Sequence, residues 1–163
     1  PDKNLGAYLM KKTGRDMVLW NGACMVHELF SREKIVKLRE RYPDAEFIAH
    51  PECEAPLLEM ADYIGSTTGL LKYTMKSPSK TFIVATEAGI LHKMQQEVPN
   101  KILIPAPSKE DNTCACSECG YMKMNTLQKL YNCLLNESPE VTVPENIIEK
   151  ALIPIERMLE LSK

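Results

Sequence analysis

The 163-residue chain contains no long hydrophobic run. A membrane-spanning helix needs roughly 18–20 consecutive apolar residues, and no segment approaches that length. Charge of one sign is not in excess either, because the formal net charge is −2. This balance gives no general attraction to nucleic acid or to an anionic membrane surface. A signal peptide is also lacking, so we expect a cytoplasmic protein that binds neither nucleic acid nor membrane.

The composition also argues against a small secreted scaffold held together by disulfides. Six cysteines are present, but the chain is rich in Lys, Glu and Met, and 44% of its residues are hydrophobic. A chain of this kind can bury a core of its own, and its mean hydropathy of −0.25 is typical of a soluble protein. We therefore expect reduced thiols rather than a disulfide framework.

Helical patterns alternate with short apolar runs, which predicts an α/β fold with a parallel sheet. The runs that resemble strands are 17–20, 46–49, 81–85 and 101–105. The predicted helices are 5–12, 31–42, 56–63, 65–75, 88–97, 122–136 and 144–161. The last two are C-terminal helices that follow the α/β part of the chain.

Two parts of the sequence resemble each other. Residues 1–24 and 86–119 both run from an acidic residue through a glycine, a short helix and an apolar strand to a cysteine. Gly6 then corresponds to Gly89, and Cys24 corresponds to Cys119. Repeated units stack around shared axes, so cysteines at matching positions are expected to point to a common centre.

Cysteine is densest in one polar loop, where Cys114, Cys116 and Cys119 form a C-x-C-x-x-C run. Thiolates bind zinc and iron–sulfur clusters. The run alone is only moderately specific, because no second C-x-x-C pair accompanies it. The alternatives are three loop thiols without a ligand, or a structural zinc site that includes Cys24. Cys53 and Cys133 have no counterpart in the repeat, so we expect ordinary core or surface residues there.

A histidine and a carboxylate follow the predicted strand 46–49. His50 and Glu52 would lie at the carboxyl end of that strand, the edge at which parallel sheets bind ligands. Such a pair supplies acid–base groups to one pocket. The alternative is a hydrogen-bonded histidine beside a solvated glutamate. Glu87 follows strand 81–85 and is a weaker candidate for the same crevice, whereas we expect surface or core roles for His27 and His92.

A second candidate for ligand binding is the helix start at Gly65-Ser66-Thr67-Thr68-Gly69. Free amides, the positive end of the helix dipole and two hydroxyls form a natural site for a phosphate or a carboxylate. The alternative is an ordinary cap in which Ser66 or Thr67 satisfies the first helical turn.

Together these segments resemble the quinolinate synthase family, and the matching motifs run in order through nearly all of the chain. They are Trp20-Asn21-Gly22-Ala23-Cys24-Met25-Val26-His27, His50-Pro51-Glu52, Met60-Ala61-Asp62, Gly65-Ser66-Thr67, Ile83-Val84-Ala85-Thr86-Glu87, Lys93-Met94-Gln95-Gln96 and Cys119-Gly120-Tyr121-Met122-Lys123-Met124-Asn125.

The resemblance implies an architecture of three α/β repeats around a pseudo-threefold axis, with one cysteine from each repeat holding a [4Fe–4S] cluster. Residues 1–30 would then be the tail of the second repeat, 31–119 the third, and 120–163 C-terminal helices that complete the fold. Cys24 and Cys119 would be two of the three metal ligands. The chain would be the C-terminal portion, without the first repeat and most of the second, and we expect it to be inactive alone.

The resemblance also implies a reaction. Iminoaspartate condenses with dihydroxyacetone phosphate to give quinolinate for de novo NAD synthesis, and L-aspartate oxidase or aspartate dehydrogenase supplies the iminoaspartate. His50 and Glu52 would bind substrate and move protons, while Ser66 and Thr67 would hold a phosphate or carboxylate. The competing interpretation is a non-catalytic α/β module that binds structural zinc or phosphate.

Overall fold

A four-stranded, all-parallel sheet forms the centre of the first of two compact units. The computed structural model describes residues 1–109 and 117–163. The strands are β1 (Glu46–Ala49), β2 (Tyr63–Ile64), β3 (Thr81–Ala85) and β4 (Ile102–Pro105), in the spatial order β2-β1-β3-β4. This architecture confirms the predicted fold class.

The central strands are apolar because helices cover both of their faces. Phe82 and Val84 of β3 pack in one cluster with Leu70 and Met94. The alternate residues Ile83 and Ala85 belong to a second cluster on the opposite face of the sheet. That second cluster also contains Ile35, Phe47, Leu57 and Val26. The first unit is therefore a three-layer α/β sandwich.

Among residues 1–109 and 117–123 of this unit, Pro1–Lys123, the structure describes seven α-helices that surround the sheet or follow it. They are α1 (Lys3–Thr13), α2 (Met25–Glu28), α3 (Arg32–Arg41), α4 (Ala55–Leu58), α5 (Thr67–Lys76), α6 (Gly89–Glu97) and α7 (Gly120–Lys123). The starts of the longer helices carry side-chain caps. Asp2 accepts a hydrogen bond from the Leu5 amide, and Ser31 accepts one from the Lys34 amide.

Three predicted elements differ in the structure, the first being the strand at 17–20. Trp20 makes a single parallel bridge to Asp2. Val18 is 97% exposed. Within the described part of the chain, the segment has only Pro1 and Asp2 as strand neighbours, so no regular strand forms.

The predicted helix 56–63 ends early, at Leu58, and Tyr63 begins β2 instead. The cause is a pair of hydrogen bonds to β1: the Phe47 amide donates to Asp62 Oδ2, and the Asp62 amide donates to the Phe47 carbonyl, both at 2.7 Å. These bonds align the chain beside β1. The predicted helix 122–136 is likewise divided, because Thr126 is extended and caps a new helix through the Lys129 amide.

The second unit, Met124–Lys163, contains α8 (Leu127–Asn136) and α9 (Glu145–Leu161). Both helices are amphipathic, and all of their residues are exposed. Their apolar side chains include Leu130, Leu134 and Ile155. That residues 120–163 complete the fold of a longer protein stays a prediction.

None of the helices in the described ranges has the length and apolar character that crossing a membrane requires.

Removing a large side chain from the sheet core tests this packing. Phe82 is fully buried, so we expect Phe82→Ala to lower the free energy of unfolding by about 3–5 kcal/mol in urea titrations. Val18→Ala is the control, since an exposed truncation should change stability by less than about 0.5 kcal/mol. Equal effects of the two substitutions would contradict the assigned core.

Candidate functional site

The parallel sheet brings three chain segments together at its carboxyl edge. Ala49 pairs with Ile64 on one side and Ala85 on the other. His50, Gly65 and Thr86 each follow one of these residues and therefore lie next to one another. The ladder continues past the strands, because the His50 amide donates to the Ala85 carbonyl at 3.0 Å.

Two histidines and a glutamate form the centre of the site at this edge. The rings of His27 and His50 stack with their centroids 4.6 Å apart. Glu52 Oε2 lies 3.1 Å from His27 Nδ1 and 3.7 Å from His50 Nδ1. On its other side, His27 Nε2 lies 3.3 Å from the hydroxyl of buried Thr86. His27 thus connects the segments that follow β1 and β3.

Burial determines the charge state of His27. The side chain is 5% exposed, and its desolvation, reinforced by repulsion from His50, lowers its pKa to about 4. The contact with Glu52 is therefore not an ion pair near neutral pH. Nδ1 is buried and makes no aligned hydrogen bond with the described residues, despite its closeness to Glu52. A neutral imidazole with an uncommitted nitrogen is suited to proton transfer or to ligand binding.

The other two members of the cluster respond to the same environment. Burial lowers the pKa of His50, which favours its neutral form. Burial and the nearby Asp2 carboxylate raise the pKa of Glu52 above its ordinary value. The three pKa values thus shift in the directions expected for acid–base groups that are partly removed from water.

Cys24 lies beside this cluster, at the start of α2. Its carbonyl accepts the amides of His27 and Glu28, so one short helical turn places the thiol and the imidazole together. The Cys24 thiol, a ring nitrogen of His27 and a carboxylate oxygen of Glu52 lie within 4.8 Å of one another. This donor set is suited to a metal ion.

The segments that precede Cys24 and Cys119 make equivalent backbone hydrogen bonds. The Lys3 amide donates to the Gly22 carbonyl, two residues before Cys24, at 3.0 Å. The Ala88 amide donates to the Ser117 carbonyl, two residues before Cys119, at the same distance. In each of the two similar segments, 1–24 and 86–119, the residue that donates this bond directly follows an acidic residue, Asp2 or Glu87. This correspondence supports the pairing of Cys24 with Cys119 that the repeat predicts.

Both thiols are half-buried and pack against one hydrophobic cluster. The other predicted ligand candidates, Cys114 and Cys116, lie outside the described residues. Cys53 is fully buried in the core, and burial raises the pKa of its thiol to about 12, whereas Cys133 is exposed. Both have the ordinary roles that the sequence predicts.

The predicted anion site lies at the same sheet edge. The Gly65 amide donates to the Ala49 carbonyl, and α5 then begins at Thr67. The Ser66 hydroxyl caps the helix by accepting the Gly69 amide at 3.2 Å. Capping and ligand binding are compatible, since the hydroxyl remains exposed.

His27 is the residue whose position the sequence did not reveal. We expected a surface or core role, and the side chain is indeed buried, but it lies against His50 and Glu52. The signal was its place three residues after Cys24, the spacing of one helical turn. Thr86, its partner 59 residues away, could not be paired with it from local sequence.

The comparisons with known proteins agree on one family. The chain matches the family model described as Quinolinate synthetase A protein over residues 1–160. It is 62% identical to a quinolinate synthase of Gloeothece citriformis over 163 residues, 59% identical to one of Microcystis aeruginosa over 162, and 57% identical to one of Chloroherpeton thalassium over 163. Each match covers 99–100% of this chain and 50% of the relative.

The depressed pKa of His27 predicts a pH dependence of stability. The unfolded histidine takes up a proton near pH 6.5, and the folded one only near pH 4. The unfolded state therefore binds more protons between these values. Stability is full above about pH 6.5 and falls as the pH drops toward 4, by at most about 1.4 kcal/mol per pH unit.

Urea unfolding of the wild type and His27→Gln across this pH range isolates the effect, since His50 and Glu52 are present in both proteins. We expect the wild type to lose more stability than the variant on acidification. Parallel pH profiles would contradict the burial of a neutral His27.

Proposed function

The chain belongs to the quinolinate synthase family, and from that premise we propose that it is part of an enzyme that makes quinolinate for NAD biosynthesis. The reaction we propose is the condensation of iminoaspartate with dihydroxyacetone phosphate. The chain spans about half the length of the curated relatives it matches. Activity is therefore proposed for a polypeptide of the relatives' length.

The observation that best supports this proposal is the cluster of His27, His50 and Glu52. These groups contact one another at the carboxyl edge of the sheet, and the pKa of Glu52 is raised while those of both histidines are lowered. A condensation with loss of water requires protons to be removed from carbon and delivered to leaving oxygens. A carboxylate with a raised pKa beside neutral imidazoles is suited to both tasks.

Within the cluster of His27, His50 and Glu52, we assign Glu52 as the general acid/base. Its Oε2 atom is close to both rings, so a proton taken from the substrate can be shared with His27. His50, directly after β1, would bind the oxygen-bearing groups of the substrate. Thr86 orients His27 through Nε2, which leaves Nδ1 facing Glu52.

Ser66 and Thr67 are proposed to bind the phosphate or a carboxylate of the substrate. They lie at the start of the ten-residue helix α5, where unpaired amides and the helix dipole favour an anion. The register between β1 and β2 places this helix start beside His50.

We propose that Cys24 and Cys119 hold a [4Fe–4S] cluster together with a third ligand. The residues fit such a group: both thiols are free and half-buried, they contact one core cluster, and equivalent backbone bonds fix them. When bound with three thiolates, the cluster supplies an iron without a protein ligand, which acts as a Lewis acid.

We also propose the source of the iminoaspartate, the location of the enzyme and the repeat organisation of the chain. The iminoaspartate would come from L-aspartate oxidase or aspartate dehydrogenase, and the enzyme would work in the cytoplasm. Residues 1–30 and 31–119 would be parts of two repeats, and 120–163 the helices that complete the fold.

A structural zinc site is the second candidate function. It is favoured by the grouping of one thiol, one imidazole and one carboxylate at Cys24, His27 and Glu52, all ligand types that zinc accepts. In that case Cys24, His27 and Glu52 would bind a metal ion and would not catalyse a reaction.

Glu52→Gln tests the proposed chemistry. The substitution keeps the size of the side chain and removes its ability to exchange a proton. In a polypeptide of the relatives' length, we expect quinolinate formation to fall about 10²–10⁴-fold while iron content is retained.

Glu54→Gln is the matched control for this experiment, because the Glu54 side chain is 40% exposed and pairs with Lys109 at 2.9 Å. It should retain normal turnover. Normal turnover of Glu52→Gln as well would remove Glu52 from the mechanism.

Cys119→Ser tests the ligand assignment. We expect this variant and Cys24→Ser to lose the bound iron and sulfide after anaerobic reconstitution, since serine is a poor ligand for iron–sulfur clusters. Cys114→Ser and the exposed control Cys133→Ser should keep both. Equal losses in Cys114→Ser and Cys119→Ser would overturn the choice of Cys119.

A further inference from the structure

The carboxylate of Glu87 makes two hydrogen bonds to backbone amides. Oε2 accepts the Gly89 amide at 2.7 Å, at the start of α6. Oε1 accepts the Cys119 amide at 3.2 Å, from a residue 32 positions away. One side chain thus ties the carboxyl end of β3 to the cysteine that follows the polar loop.

Asp2, the corresponding acidic residue of segment 1–24, accepts a hydrogen bond from its own helix alone among the described residues. Asp2 accepts the Leu5 amide of its own helix at 2.7 Å, and among the described residues it accepts no hydrogen bond from the Cys24 amide. Glutamate is longer by one methylene, which lets Glu87 serve its helix with one oxygen and Cys119 with the other. The bond from the cysteine amide to the acidic side chain is therefore found at Cys119 and not at Cys24 in the described chain.

Cys24 and Cys119 differ in the backbone hydrogen bonds that fix their positions. Cys24 is fixed by α2, whose His27 and Glu28 amides both bond to its carbonyl. The carbonyl of Cys119 accepts the Lys123 amide of the four-residue helix α7. The Glu87 bond fixes the amide side of Cys119.

Gly89 gives independent support for this arrangement. A Cβ atom added there would come within 2.7 Å of Glu87 Oε2 and 3.6 Å of Oε1. A side chain at residue 89 would therefore force Oε2 to move and would shift the carboxylate whose other oxygen accepts the Cys119 amide. The glycine leaves the space that this double contact needs.

We propose that Glu87 is a positioning residue for the metal site: its carboxylate fixes the Cys119 backbone at the carboxyl end of β3 and so presents the thiol for metal binding. This inference rests on the proposed function, because it takes Cys119 to be a ligand. Removing such an outer partner of a ligand commonly lowers metal affinity about 10- to 100-fold.

Two variants test the role, and both should fold. Glu87→Gln keeps the shape of the side chain but leaves one acceptor for two amides. Gly89→Ala leaves Glu87 intact and displaces its carboxylate. In reconstituted protein of the relatives' length, we expect a chelator to remove half of the iron at about 10- to 100-fold lower concentration in both variants.

Glu118→Gln is the matched control, since it removes the same charge next to Cys119 in sequence. Glu118 pairs with Lys123 at 3.5 Å. It should resist the chelator as the wild type does. Hydrogen exchange provides a readout independent of metal: in the chain as given, the Cys119 amide should exchange about 10-fold faster or more in Glu87→Gln than in Glu118→Gln.

The outcomes separate this inference from the proposed function. Wild-type chelator resistance and unchanged Cys119 exchange in both Glu87→Gln and Gly89→Ala would overturn the positioning role and leave the function standing. A wild-type protein that takes up no iron–sulfur cluster would overturn both.

Discussion

The parallel pairing of β1 with β3 is the constraint on which the candidate site depends. Because Ala49 is in register with Ala85, His50 and Thr86 leave the sheet side by side. His27 then fills the space between the two segments, bonded to Thr86 and stacked on His50. Its burial follows from this position, and the shifts in the pKa values of His27, His50 and Glu52 follow from burial. A slip in this register would separate the groups that the chemistry needs.

The second constraint is the repeated connection between an acidic residue and a cysteine. In both units the amide after the acid bonds to the carbonyl two residues before the cysteine. The two segments thus share one backbone connection while the sequences around it differ. Asp2 caps its helix through the Leu5 amide, whereas the longer Glu87 accepts both the Gly89 amide and the Cys119 amide.

Much of the fold could be predicted because it depends on local pattern. β1 and β3 were predicted with their observed bounds, since buried parallel strands are continuous apolar runs, and α6 differs by one residue. The predicted strand 17–20 failed because its apolar residues have few strand neighbours in the described chain. Tyr63 was assigned to a helix because the Asp62 hydrogen bonds to Phe47 join segments that are distant in sequence. The place of His50 and Glu52 at the sheet edge followed from their position directly after the predicted parallel strand 46–49, whereas the place of His27 required the three-dimensional contact with Thr86.

We propose that Cys24 and Cys119 bind iron at the carboxyl edge of this sheet, and anomalous diffraction from crystals of a polypeptide of the relatives' length, grown without oxygen, can test this. At the iron edge we expect signal adjacent to the sulfur atoms of both cysteines. Signal between Cys24, His27 and Glu52 that appears only at the zinc edge, or iron bound away from Cys119, would show that the assignment is wrong.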